Sequence, residues 1–273
     1  MFKISKYTFG SDFEVFTKNS SDEIVPAIID GTKENPKPIG KGCYSQRDGV
    51  AAEFNIPPVS TKKDWLKNIK FCMKEGSKIV AKQGLTLEIG SSHEFDTDIL
   101  DEKDYRILGC QPSLDAYDFN SPRVFTNTMT DLRTCGMHVH VGFNKHCTST
   151  GNTPGPEDIA NLTYYFDMYL GLPSVILDTD QLRRTMYGKA GDFRFKILDD
   201  ICLYEYRSLG SNLLSNDDYI KWIYSNMKKA IKAYNKQLDL PDLKLMKKII
   251  ESGDVAASRE LILKHNIGMP NVI

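Results

Sequence analysis

Three short segments of this 273-residue chain carry side chains whose types and spacing suit work on a cation or a phosphate. Asp12 and Glu14, in GSDFEVF, stand two residues apart, so on a strand both carboxylates share one face while Phe13 and Val15 point the other way. Two like charges that close call for a counter-cation, although a lone pair at this spacing also describes the wet face of an amphipathic strand. Met137-His138-Val139-His140-Val141 puts two of the chain's five histidines on one strand face and three apolar side chains on the other. A neutral imidazole is a good ligand for a divalent ion, and two satisfied structural histidines would read the same way. Tyr204-Glu205-Tyr206-Arg207 repeats the spacing with a carboxylate and a guanidinium, a pair that is also common as a purely structural contact.

Two further segments add to these. In QRDGVAAEFNIPP, Glu53 sits among Val50, Ala51, Ala52 and Phe54, and a carboxylate in so apolar a strand must be paired or bind a metal. Arg183, Arg184 and Arg194 flank TMYGKAGDF, where the turn Gly188-Lys189-Ala190-Gly191 could bring cations and backbone amides to phosphate oxygens. Solvated arginines are the plainer alternative. The chain has no GxxxxGK[ST] phosphate loop, no GxGxxG after a strand, no kinase HRD or DFG and no GxSxG nucleophile elbow, so the familiar nucleotide and acyl-transfer folds are unsupported.

The elements that must position these residues follow from pattern. Phe9 to Phe16 alternates, Ile24 to Ile29 is a short apolar run, and Val50 to Ile56 leads into Pro57-Pro58, which is expected to end a strand. Apolar residues at three- and four-residue steps predict an amphipathic helix over Thr61 to Lys82, capped by Thr61 and stopped by Gly84. A strand is expected at Leu85 to Gly90, then irregular structure around a site to about Asp131, a strand at Met137 to Phe143, and a turn-rich loop at Thr148 to Pro156. Glu157 to about Leu177 reads as helical, interrupted near Gly171 and Pro173. Phe193 to Ile197 and Cys202 to Leu209 read as paired strands, and helices follow at about Asp217 to Asn235, Asp242 to Glu251 and Ala256 to His265. Strands scattered between helices favour an α+β fold over a regular parallel one.

Composition narrows the function classes. With 35 basic and 36 acidic residues, net charge -1, no long-range field draws the molecule toward nucleic acid or an anionic membrane. No apolar run approaches the roughly 20 residues of a bilayer span, and the N-terminus lacks the apolar core of a signal peptide, which leads us to expect a cytoplasmic protein. Six scattered cysteines without a CxxC pair argue against a zinc knuckle or a disulfide scaffold and for free buried thiols.

Taken in order, the motifs resemble those of the glutamine synthetase and glutamate-cysteine ligase superfamily, and in particular the phage-type carboxylate-amine ligase family, from about Phe9 to Asn212. The resemblance implies a curved, mainly antiparallel sheet with helices on its outer face, a catalytic core over residues 1–215 and a C-terminal helical segment over 216–273 packed on it as part of the same domain. It implies ATP and Mg2+ or Mn2+ as cofactors, with metal ligands Asp12 (where Glu is more usual), Glu14, Glu53, His138 and Glu205. His140 would face the nucleotide phosphates together with Lys189 and Arg207, and Arg207, Arg194 and Arg184 would act on the transferred phosphoryl group or the substrate carboxylate. The partners would be small-molecule or peptide acids and amines, a homo-oligomer is compatible, and the location would be the host cytoplasm if the chain is phage-encoded. Such enzymes commonly carry two spaced glutamates in the middle region, where this sequence offers Glu53. Two other classes stay open: a non-catalytic phage structural or binding protein on the same fold, and a cupin-like metal enzyme, against which speaks the lack of an acidic residue between His140 and Glu157.

Overall fold

A computed structural model of the protein describes residues 2–101, 105–106, 113–118, 130–144 and 153–271. In chain order its elements are β1 (Tyr7–Lys18), β2 (Ile24–Val25), β3 (Lys37–Gly40), β4 (Cys43–Asp48), β5 (Ala51–Val59), α1 (Lys62–Ala81), β6 (Thr86–Glu88), β7 (Ser92–Glu94), α2 (Thr97–Asp101), β8 (Leu114–Asp115), β9 (Leu132–Thr134) and β10 (Met137–Asn144). Then come α3 (Pro156–Phe166), a π-helical turn (Asp167–Gly171), α4 (Leu172–Leu177), α5 (Leu182–Met186), β11 (Asp192–Leu198), β12 (Ile201–Tyr206), a 3-10 turn (Ser211–Leu214), α6 (Asp217–Lys236), α7 (Leu243–Ser252) and α8 (Val255–Lys264). The fold is α+β. One large sheet runs β3-β4-β5-β1-β10-β12-β11-β8, with β2 and β6 added beside β1, and every pairing among the described residues is antiparallel.

The long central strands have a reason in their two faces. One face of β1, β5, β10, β12 and β11 carries Phe13, Val15, Phe54, Val139, Val141, Tyr204, Tyr206 and Phe193, all buried. Helices α1, α3 and α6 cover it: Trp65 of α1 and Phe9 of β1 meet Tyr224 of α6, and Phe166 of α3 stacks edge-on against Tyr204. Each such aromatic contributes about 1.5–3 kcal/mol on burial. The Trp65 indole N–H is satisfied by the Ile220 carbonyl at 3.1 Å. A smaller core joins α4, α7 and α8 around Leu172, Met246 and Leu261. Helix α1 starts where expected, with Thr61 Oγ1 accepting from Asp64 N at 3.1 Å.

Four sequence expectations are corrected. Pro57 and Pro58 lie inside β5, which continues to Val59; the register between β5 and β1 shifts there, and a bulge is where a sheet tolerates proline. The strand at Leu85–Gly90 shrinks to β6. The helix after Glu157 is not broken at Gly171: it widens into the π turn Asp167–Gly171 and continues as α4. Strand β12 ends at Tyr206 rather than Leu209. Cys43, Cys72 and Cys135 are free and buried and Cys202 is buried, whereas Cys110, Cys147 and most of the irregular stretch before Asp131 lie outside the described residues. No helix among the described residues is long and apolar enough to cross a membrane.

Candidate functional site

Antiparallel register turns the separate sequence motifs into rows across the face of the sheet opposite α1, α3 and α6. Asp12 on β1 stands beside His138 on β10, and beside Asn55 on β5 at its other flank. Glu14 on β1 stands beside Glu53 on β5, which in turn faces Gln46 on β4. His140 on β10 stands beside Glu205 on β12, and Glu205 beside Arg194 on β11. Because side chains alternate along each strand, all of these project to one side while their neighbours fill the core.

Two groups of ligand atoms result, each gathered within 4.8 Å: Asp12, His140 and Glu205, and Glu14, Asp48 and Glu53. In the first, Asp12 Oδ1 lies 3.2 Å from His140 Nε2 and 3.2 Å from His138 Nδ1, and His138 Nδ1 lies 3.7 Å from Glu205 Oε1. Arg207 pairs with the same Glu205 oxygen, and Arg194 Nη1 lies 3.7 Å from it. In the second, Glu14 Oε2 accepts from the backbone N–H of Gly136 at 2.7 Å, and Lys33 Nζ lies 2.7 Å from Asp48 Oδ2.

The two groups differ in electrostatics. Burial pushes the Asp12 carboxyl up, but His140 and then His138 outweigh it and hold it well below its ordinary value. Burial likewise acts against the Glu205 charge, and the Arg207 guanidinium overcomes it, so this carboxyl too is lowered. His140 is raised: burial disfavours its charge, yet the Asp12 carboxylate prevails. Glu53 goes the other way, raised well above its ordinary value by burial and then by the charges of Asp12, Asp48 and Glu14. Glu14 is raised by burial, with Asp48 adding to it.

The surroundings fix this geometry. Arg183 is buried and donates from Nη1 to the Ser208 carbonyl at 3.0 Å and from Nη2 to the Arg207 carbonyl at 3.2 Å, which holds the backbone beyond β12. A side chain at Gly136 would approach His138 Nε2 to 2.6 Å and Arg183 Nη2 to 2.9 Å, so only glycine fits that approach. Asp167, set by the π turn, accepts from Tyr206 Oη at 2.7 Å, Tyr117 Oη at 3.0 Å and Gly191 N at 2.7 Å. It thereby ties the Gly188–Gly191 turn to the strand that carries Glu205.

A cavity of about 700 Å³ opens over the rows, lined by Asp12, Glu53, His140, Glu205, Arg194 and Asn55 among others. No protein-family model matches this chain. No curated protein matches either. Among solved structures, the chain is similar to that of GmaS in complex with ADP, at 8% sequence identity and a TM-score of 0.39, with 97% of this chain and 71% of that chain covered.

The structure thus brings Asp12, Glu14, Glu53, His138, His140, Glu205, Arg194 and Arg207 together. It does not bring Arg184 to the cavity: this guanidinium is buried and donates to Ser174 Oγ at 3.1 Å and, at 3.5 Å, to the Gly188 carbonyl. Lys189 sits half-buried on the Gly188–Gly191 turn, its carbonyl accepting from Ser208 Oγ, and is not among the residues lining the cavity. Of the two imidazoles it is His140, not His138, that lines the cavity and groups with Asp12 and Glu205; His138 lies beneath, nearly covered.

Sequence reasoning missed Asp48, Gln46, Asn55 and Lys33. A signal for Asp48 was present: Asp48-Gly49 is a strong hairpin turn, and a hairpin there pairs Gln46 with Glu53 and sets Asp48 on the same face two residues on. Nothing in the spacing announces Lys33, which reaches the cluster from the connection between β2 and β3.

The residues fit a divalent cation. Asp12 Oδ1 and His140 Nε2, 3.2 Å apart, gather with Glu205 in one group, and in the other Glu53 Oε2 is buried with no hydrogen-bond partner among the described residues, an orphaned carboxylate oxygen of the kind a cation satisfies. Carboxylate oxygens with one imidazole favour magnesium or manganese.

Proposed function

We propose that the chain is an ATP-dependent carboxylate-amine ligase that forms an amide through an acyl phosphate. The observation that carries this reading is the convergence, at one solvent-open cavity and directly beneath it, of two cation-ready ligand groups and the guanidinium groups of Arg194 and Arg207 around Glu205, contributed by six antiparallel strands and the residue just beyond β12. The ordered resemblance of the same motifs to the glutamine synthetase superfamily supports it.

A carboxylate resists amines because it is a poor electrophile with no leaving group. The reading therefore has a carboxylate oxygen of the acid attack the γ-phosphorus of ATP and release ADP. The amine nitrogen then attacks the acyl carbon, an N–H proton is lost, and phosphate leaves carrying that oxygen. Magnesium or manganese bound by Asp12, His140 and Glu205, and by Glu14, Asp48 and Glu53, would neutralise phosphate charge when present. His138 Nδ1 orients Asp12 Oδ1 from below. Arg194 at the cavity wall, and Arg207, buried behind Glu205 and acting beside it, would stabilise the equatorial oxygens of the phosphoryl group, where a preorganised donor is worth about 2.7–4 kcal/mol. Arg184 is reassigned: it braces the Gly188–Gly191 turn from inside. An ATP-consuming reaction on small acids and amines fits a cytoplasmic protein.

The test is amine-dependent release of ADP and phosphate across a panel of acids and amines, with mass spectrometry of the product. Glu14→Gln and Glu205→Gln are expected to lose turnover with folding intact. Unchanged turnover in both rejects the assignment.

A further inference from the structure

Four ionisable side chains meet where β11 pairs with β12, and the proposed reaction uses three of them. Arg194 stands opposite Glu205 in the register, and just past the last pair Asp192 meets Arg207, whose backbone N–H donates to the Asp192 carbonyl at 3.0 Å. Two-residue spacing along each strand puts all four on the cavity side of the sheet, with Phe193 and Tyr206 between them in the core. The charges therefore alternate. Arg194 Nη1 lies 3.7 Å from Glu205 Oε1, Arg207 pairs with the same oxygen, and Arg207 Nε lies 3.9 Å from Asp192 Oδ1.

Asp192 is wholly buried, and neither of its carboxyl oxygens has a hydrogen-bond partner among the described residues. A carboxylate so placed is costly unless a cation stands beside it, and Arg207, itself buried, is a cation it faces. Arg183 adds to the positive field there, with its terminal nitrogens donating to the Ser208 and Arg207 carbonyls. The neighbour on the other flank is Asp115 on β8, a like charge that has Lys247 Nζ at 3.5 Å. The root of Asp192 is fixed. The adjoining Gly191, at a φ of +73°, donates its N–H to Asp167 Oδ2 at 2.7 Å, and its carbonyl accepts from Ala116 N at 2.9 Å.

We propose that Asp192 is a positioning residue for Arg207, the counter-charge that keeps its guanidinium seated behind Glu205 while Glu205 is engaged at the cavity. In the proposed function the Glu205 carboxylate has two claims on it, a divalent cation and Arg207. Asp192 does not line the cavity and stays with the arginine. Without it, the buried guanidinium would lean harder on Glu205 and draw that carboxylate away from the cavity. The catalytic consequence rests on the proposed function; the pairing itself does not.

The test is a double-mutant cycle on the full chain with Asp192→Asn, which keeps the shape and removes the charge, Arg207→Met, and the two combined. In EDTA each single variant is expected to lower the urea midpoint, and the double variant to lower it by clearly less than the two shifts added, because removing both partners leaves no unpaired buried charge between them. Should Asp192→Asn alone fail to fold, Arg207→Met is expected to restore folding. In turnover, Asp192→Asn should lower kcat by about tenfold, the low end of what loss of an outer partner costs a ligand, with KM for ATP changed by less than about twofold. Added to Arg207→Met it should lower kcat no further, a pattern that a merely structural role would not give. Additive midpoint shifts, a double variant that also fails to fold, an unchanged kcat in Asp192→Asn, or the same fall in kcat on both backgrounds overturns the proposal. The two readings fail separately: a coupled pair in a chain that never releases phosphate from ATP sinks the ligase reading alone, and an active ligase with additive variants sinks the Asp192 proposal alone.

Discussion

The two ligand groups on the sheet solve the same problem, several ionisable side chains buried together, in opposite ways. Around Asp12, His140 and Glu205 the carboxylates are matched by imidazoles and guanidinium groups, and their charge is favoured. Around Glu14, Asp48 and Glu53 like charges face each other across adjacent strands, with Lys33 as the ammonium at their edge, and Glu14 and Glu53 are pushed toward the protonated form. A balanced group holds its shape without a ligand. An unbalanced one stores a preference for a cation, so removing one carboxylate should have opposite consequences in the two places.

The largest effect is expected on turnover. Arg207→Ala, which removes the guanidinium paired with Glu205, should lower kcat by about 10²–10³-fold, the cost of one preorganised electrostatic donor. Steady-state kinetics on the reactive acid and amine pair, with circular dichroism to verify folding, checks this; a change confined to KM would move Arg207 from phosphoryl transfer to ground-state binding.

Next comes stability in the absence of metal. Asp12→Asn leaves two imidazoles facing a neutral amide and breaks a buried charge contact, so it should cost about 3 kcal/mol in urea unfolding. Glu53→Gln should do the reverse and stabilise the metal-free protein by about 0.2–1 kcal/mol, because it relieves two like charges placed directly opposite across strands. If both variants destabilise alike, the contrast between the groups is wrong.

The pH dependence sharpens the same point. Glu53, Glu14 and His140 have folded-state values raised above 4.5, 4.5 and 6.5. A raised group binds its proton more tightly when folded, so its stabilisation is complete below the unfolded value and is lost as pH rises through the folded one. Asp12 and Glu205, lowered, give stability that is present above the unfolded carboxyl value and lost only as pH falls through the folded value. In EDTA the melting temperature should therefore fall as pH rises past the ordinary histidine value of 6.5, whereas Mn2+, which competes with those protons, should stabilise increasingly over the same range. Parallel curves with and without metal would contradict this. The smallest effect is expected from Lys189→Ala, which should leave Mn2+ titration of both groups unchanged.

Much of this site was legible because strand periodicity is strict. Asp12 with Glu14, His138 with His140 and Glu205 with Arg207 each announce a shared face from spacing alone, and the antiparallel sheet then needs only register to bring them together. Register is what spacing does not supply. His140 rather than His138 joins Asp12 and Glu205 because β12 pairs with β10 at Glu205 and His140. Arg184 looked like a phosphate ligand because arginine beside a glycine turn has the right chemistry, yet α5 turns it inward to Ser174. Lys33 was invisible because it arrives from a connection, where no period exists to read. The π turn at Asp167–Gly171 was read as a break because glycine and proline end most helices, while here the widened turn serves to aim Asp167 at Tyr206 and Gly191.

The central claim is that the Asp12–His140–Glu205 group and its arginines form a divalent-cation site for a triphosphate. The most direct measurement is anomalous diffraction from crystals grown with Mn2+ and a non-hydrolysable ATP analogue. The account predicts a manganese peak within bonding distance of Asp12, His140 and Glu205, with the γ-phosphate between it and Arg194. Manganese or nucleotide bound anywhere else, with this cavity holding neither, would contradict it.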